Sequence, residues 1–102
     1  MAQLKIIWTL FAKQQRDEIF HFWNIRNKST LYSKKLRLLI KSRTNQLKDH
    51  PYSGKKIFAT SYRILIFKNY SLVYFVDKEK VYIVAFWENH QDYEKLQNIL
   101  GL

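Results

Sequence analysis

His90 is the residue of this sequence best suited to proton transfer near neutral pH, because an imidazole of ordinary pKa, about 6.5, is partly protonated there. It stands in Glu88-Asn89-His90-Gln91-Asp92, with Tyr93 next, so a carboxylate and a phenol lie close enough in sequence to assist it. The competing structural role for Glu88, His90 and Asp92 is a polar loop that satisfies backbone groups and caps a following helix. The other two histidines have simpler duties. His21 falls within a helical pattern, and His50 precedes Pro51, where a cation suits the negative end of a helix dipole. With no cysteine and three scattered histidines, thiol nucleophiles, disulfides and a structural metal site are not expected, and no cofactor motif is present.

The remaining chemistry is positive charge. Eighteen Lys and Arg against 8 Asp and Glu leave a net charge of +10 in 102 residues, which draws in polyanions or acidic proteins. Charge of this size does not choose between nucleic acid, ribosome, membrane surface and an acidic partner. Tyr62, Tyr70, Tyr74 and Tyr82 could stack on bases, but their place in β-favouring runs points to packing instead.

The elements that must position these groups read clearly. A chain of 102 residues has room for one domain, spanning 1–102, and 47% hydrophobic residues can fill its core. Leu4 to Trp8 is a short buried strand, and Thr9 is placed to cap the helix that follows. Phe11, Ile19, Phe22 and Trp23 recur at helical spacing, which predicts a helix over Phe11 to Arg26. A second helix over Thr30 to Leu47 buries Tyr32, Leu36, Leu39, Ile40 and Leu47 and loads its other side with Lys34, Lys35, Arg37, Lys41 and Lys48. Pro51 and Gly54 end it. Tyr62–Phe67, Tyr70–Val76 and Val81–Trp87 are β-rich runs whose short connections require antiparallel neighbours, and Tyr93 to Leu100 closes with a short helix. The expected core includes Trp8, Ile19, Phe22, Leu36, Leu39, Ile64, Leu72, Tyr74 and Ile83. No run of about 18 apolar residues and no signal-peptide pattern occurs, so the expectation is a cytoplasmic protein without a membrane segment.

This order resembles the RelE/ParE superfamily of bacterial toxins. Lys5-Ile6-Ile7-Trp8 followed by Ala12 looks like its opening strand and helix start. Leu47, Pro51 and Gly54-Lys55-Lys56 resemble the Leu-x-x-x-Pro-x-x-Gly-Lys/Arg closure of ParE-like members. Tyr62-Arg63 with Tyr70-Ser71-Leu72-Val73-Tyr74 resembles the paired "YR" and "LVY" strands, and Val84 to Asp92 resembles the tail "FWDNRQDP". The resemblance implies an α+β fold: an N-terminal strand, an antiparallel helical hairpin packed on a curved antiparallel sheet, and a short C-terminal helix. It also implies a cognate antitoxin as partner, with Lys55, Lys56, Arg63, Lys68, Arg37 and Lys41 as candidate antitoxin- or target-binding cations.

For mechanism the resemblance offers two branches. RelE-like members cut mRNA on the ribosome and need cations to steady the phosphate. Here His90, Arg63, Glu88 and Tyr93 would form the catalytic set, yet the middle-strand Arg of that branch is replaced by Ser71, which carries no charge and cannot grip a phosphate with two parallel hydrogen bonds. ParE-like members poison DNA gyrase through protein contacts. The Pro-x-x-Gly closure and Ser71 favour the gyrase branch, with the nuclease as alternative and a basic RNA-binding module without toxin role as the third reading.

Overall fold

Thr9 sets the first turn of the chain's architecture. In a computed structural model, which describes residues 4–89, its hydroxyl accepts from the Ala12 N–H at 3.3 Å and donates to the Ile83 carbonyl at 3.0 Å, so one side chain both caps a helix and ties it to the sheet. The elements are β1 (Lys5–Trp8), α1 (Leu10–Asn27), α2 (Leu31–Asp49), β2 (Lys55–Lys56), β3 (Arg63–Phe67), β4 (Tyr70–Asp77) and β5 (Lys80–Glu88). Both predicted helices and all four predicted strands are present, with ends moved by a residue or two. The short β2 is additional. The closing helix expected over Tyr93 to Leu100 lies outside the described residues.

The sheet order is β1-β5-β4-β3-β2. β3, β4 and β5 pair antiparallel as their short connections require, and β1 joins β5 in parallel, the helical hairpin carrying the chain across. Between the helices Lys28 takes a left-handed conformation at φ 50°, and the Ser29 N–H bonds back to the Asn24 carbonyl at 3.2 Å. The Ser33 hydroxyl then donates to the Asn24 side chain, locking α2 to the end of α1.

One face of the sheet packs against the helices. Leu72, Tyr74, Ile83 and Phe86 meet Ala12, Phe20, Leu36, Ile40 and Leu47 there. Ile83 and Phe86 are an odd number of residues apart, so in a regular strand they would point to opposite faces. A β-bulge resolves this. Val73 pairs with Ala85 but Tyr74 pairs with Ile83, leaving Val84 as the extra residue and turning both large side chains inward. Past Ile83, β1 no longer covers β5, and the Gln15 side chain accepts from the Phe86 N–H at 2.8 Å. On the opposite face Val73, Ala85 and Trp87 pack with Ile57, Tyr62 and Ile64.

The predicted core is corrected at Phe22, which is 51% exposed. Helical spacing marks two apolar sectors on α1, at about 100° per residue, and the buried one centres on Ala12 and Phe20 rather than on Phe11 and Phe22. Leu36, Leu72, Tyr74 and Ile83 are fully buried, while Trp8, Ile19, Leu39 and Ile64 are half-buried.

Candidate functional site

Two groups of chemically capable residues sit at opposite ends of β3 and β4. At one end lies the segment that closes the helical hairpin. The Gly54 N–H donates to the Tyr74 hydroxyl at 2.8 Å, and Arg63 donates to the carbonyls of Tyr52 and Gly54 at 3.1 and 2.9 Å while its guanidinium covers the Tyr52 ring. Burial pushes the Tyr74 phenol up in pKa, with the Gly54 N–H and the Arg63 charge opposing, so the hydroxyl remains a neutral acceptor. Arg63 is thus engaged in holding backbone.

The glycine at 54 has a steric reason. A Cβ there would lie 2.6 Å from the Tyr74 hydroxyl and 3.0 Å from the Ile64 carbonyl oxygen. Gly54→Ala is therefore expected to cost about 2 kcal/mol as an overpacking change, lowering the melting midpoint by on the order of 10 °C. Thermal unfolding followed by circular dichroism checks this, and an unchanged midpoint would show that the closure has slack.

Beside this closure the free edge of the sheet carries Lys55 and Lys56, both exposed and alternating between the two faces. The turn that follows presents Phe58, 93% exposed, although the turn is well tied. The Ile57 N–H reaches the Tyr62 carbonyl, the Thr60 hydroxyl donates to the Ile57 carbonyl, and the Tyr62 N–H donates back to that hydroxyl. Sequence reading passed over Phe58, because nothing in residue spacing distinguishes a presented aromatic from one folded inward.

The other end gathers Lys68, Tyr32, Tyr70, Glu88, Ser71 and Asn89. The hydroxyls of Tyr32 and Tyr70 lie 3.0 Å apart, and the Lys68 ammonium sits 5.5 Å from the centre of the Tyr32 ring. Burial first, then the Tyr32 hydroxyl, raise the Tyr70 pKa, so its proton is held. Ser71, buried at 3% exposure, donates its hydroxyl hydrogen to the Asn89 side chain, and the Asn89 N–H reaches the Asn69 carbonyl at 2.6 Å.

Of the four catalytic candidates, Glu88 belongs to this second end, and Arg63 to the first. Glu88 pairs with Tyr70 and Arg63 with Tyr74, four residues further along β4, about 13 Å by strand rise. His90 and Tyr93 lie outside the described residues. The proposed binding cations are likewise divided: Lys55, Lys56 and Arg63 cluster, Lys68 lies at the far end of β3, and Arg37 and Lys41 are exposed on α2. Arg37 lays its guanidinium 4.6 Å over the Phe20 ring, bridging the two helices, which leaves Lys34, Lys35 and Lys41 as the exposed cations of α2 without such a ring contact.

Among the described residues no three His, Asp or Glu side chains gather into a metal-binding group, and no helix is long and apolar enough to cross a membrane.

Comparison with known proteins agrees with this architecture. A family model described as the ParE toxin of the type II toxin–antitoxin system parDE matches residues 6–93. A solved structure described as the chromosomal ParDE TA system from P. aeruginosa superposes with a TM-score of 0.71 over 84% of this chain and 96% of that one, at 16% identity, a likeness of fold. No curated protein matches the sequence.

Proposed function

The chain belongs to the ParE toxin family of type II toxin–antitoxin systems, and from that premise we propose that it is a single-domain cytoplasmic toxin that stops growth by poisoning DNA gyrase and is neutralised by a cognate acidic antitoxin. The observation that carries the reading is Ser71. At the position where the ribonuclease branch is expected to hold a phosphate-gripping Arg, this chain has a buried neutral side chain whose hydroxyl is committed to Asn89. Losing one charge-stabilising donor from a preorganised site costs on the order of a hundredfold or more in rate. Arg63 offers no replacement, since its guanidinium donates to two backbone carbonyls at the opposite end of the sheet.

What the fold does present is surface for protein contacts. α2 carries six Lys and Arg from Leu31 to Lys48 with no acidic residue among them, and the sheet edge adds Lys55 and Lys56 beside Phe58. An aromatic flanked by cations is a good anchor for a protein partner with an acidic rim. We assign the edge and α2 to target and antitoxin.

One observation supports the ribosome-dependent nuclease as a second reading. Lys68, Glu88 and the Tyr32–Tyr70 hydroxyl pair meet at the strand end that leads directly into His90. Inducing the protein in cells separates the two. Gyrase poisoning gives DNA-damage signalling with mRNA intact at early times, whereas early loss of mRNA without such signalling would refute it.

A further inference from the structure

Beyond the toxin role, α1 carries a second apolar sector that none of the described residues covers. Phe22 and Ile25, 51% and 63% exposed, lie on it with Phe11, and they line a shallow groove together with Glu18, His21 and Arg26. We propose that this face is the contact between two copies of the chain, with the α1 helices packed antiparallel about a two-fold axis that passes Phe22.

Charge selects the occupant. An acidic partner is attracted to α2 and the sheet edge, but along this sector it would meet Glu18 and, at its margin, Asp17, two of the chain's 8 acidic residues. Two copies at +10 each repel through almost any other approach. α1 is a face where that repulsion is small, because its two carboxylates against Lys13, Arg16 and Arg26 leave it near neutrality. Asp17 is held by Arg16 within the chain at 3.1 Å, while Glu18 forms no ion pair among the described residues.

The spacing then fixes the geometry. In an antiparallel pair centred on Phe22, residues whose numbers are equally far from 22 face each other, so Glu18 of each copy meets Arg26 of the other, four residues to either side. The two-fold axis makes that pair twice. Positions 18, 22 and 25 follow the spacing of an α-helical seam, so the two Phe22 rings and the Ile25 side chains form the apolar centre between the two ion pairs. Arg26 is already drawn along the helix surface by the Trp23 ring, 5.4 Å from its guanidinium, and that contact leaves its N–H donors free for a carboxylate.

A charge swap tests this on the purified full chain by sedimentation equilibrium across the micromolar range. The wild type is expected to show a monomer–dimer equilibrium. Glu18→Arg alone and Arg26→Glu alone should each raise the dimer dissociation constant at least about tenfold by placing like charges together, and the double variant, carrying both changes, should restore it. Phe22→Ser should leave monomer, with circular dichroism confirming that the helices survive loss of the Phe22–Trp23 ring contact. A wild type that stays monomeric throughout would overturn the proposal. So would a dimer indifferent to both single changes, or folded single variants not rescued by the swap. If the wild type is monomeric and Phe22→Ser weakens antitoxin binding instead, the face belongs to the antitoxin and the proposal is wrong.

Discussion

Phe86→Ala is expected to remove about 4 kcal/mol of stability, the range for deleting a large aromatic from a closed core. The Phe86 side chain is fully buried, stacks on Tyr70 with ring centres 5.6 Å apart, and meets Trp8 and Phe67 edge-on or tilted. It is turned inward only because Val84 bulges. A chain of this size has roughly 5–15 kcal/mol in total, so the variant should unfold near physiological temperature or lose its cooperative transition. Ile66→Ala is the matched control, since Ile66 is an apolar strand residue on β3 that is mostly exposed, and it should stay within about 0.5 kcal/mol of wild type. Urea unfolding of both decides the matter. A small effect at Phe86 would mean that the bulge does not place it as described.

The second large effect concerns toxicity. Reversing charge at Lys41, exposed on α2 and without a ring contact, is expected to reduce growth inhibition at least about tenfold, equivalent to losing one favourable charged contact and gaining a repulsive one. Arg37→Glu should do the same but also loosen the helix pair, because Arg37 covers Phe20. His90→Ala should change toxicity only modestly, since the gyrase reading gives the imidazole no proton to transfer. Titrating an inducer against colony counts measures all three. A folded, non-toxic His90→Ala protein that also no longer cleaves mRNA would place this chain on the nuclease branch.

The fold was legible where local signals agree with one another. Thr9 as cap, Pro51 as stop, and the β-favouring run Tyr70 to Val76 each depend on neighbours a few residues away, and the structure places them as read. What escaped depends on contacts far apart in sequence. The Val84 bulge is set by the demand that Ile83 and Phe86 share a face, and the Gln15 bond to Phe86 spans 71 positions. Phe22 was misassigned because a helix with two apolar sectors gives one periodicity, and only the sheet decides which sector it covers.

The candidate site was legible as composition but not as arrangement. Arg63 reads as a free cation on a strand, yet it is consumed by the carbonyls of Tyr52 and Gly54, and that segment is folded back by the same Pro-x-x-Gly pattern that marked the family. Ser71 was recognised as a departure from its residue type alone. Its burial and its bond to Asn89 give the departure a physical meaning, a neutral polar pair fitted into a closed strand end where a guanidinium would need both space and an anion.

The most direct test of the gyrase assignment is to incubate the purified toxin with DNA gyrase, ATP and relaxed plasmid and to look for cleaved DNA after protein denaturation. Linear plasmid that accumulates with toxin concentration, needs gyrase, and disappears when the antitoxin is added first is the predicted result. Unchanged supercoiling with no cleaved DNA, alongside mRNA cut on translating ribosomes by the same preparation, would contradict it.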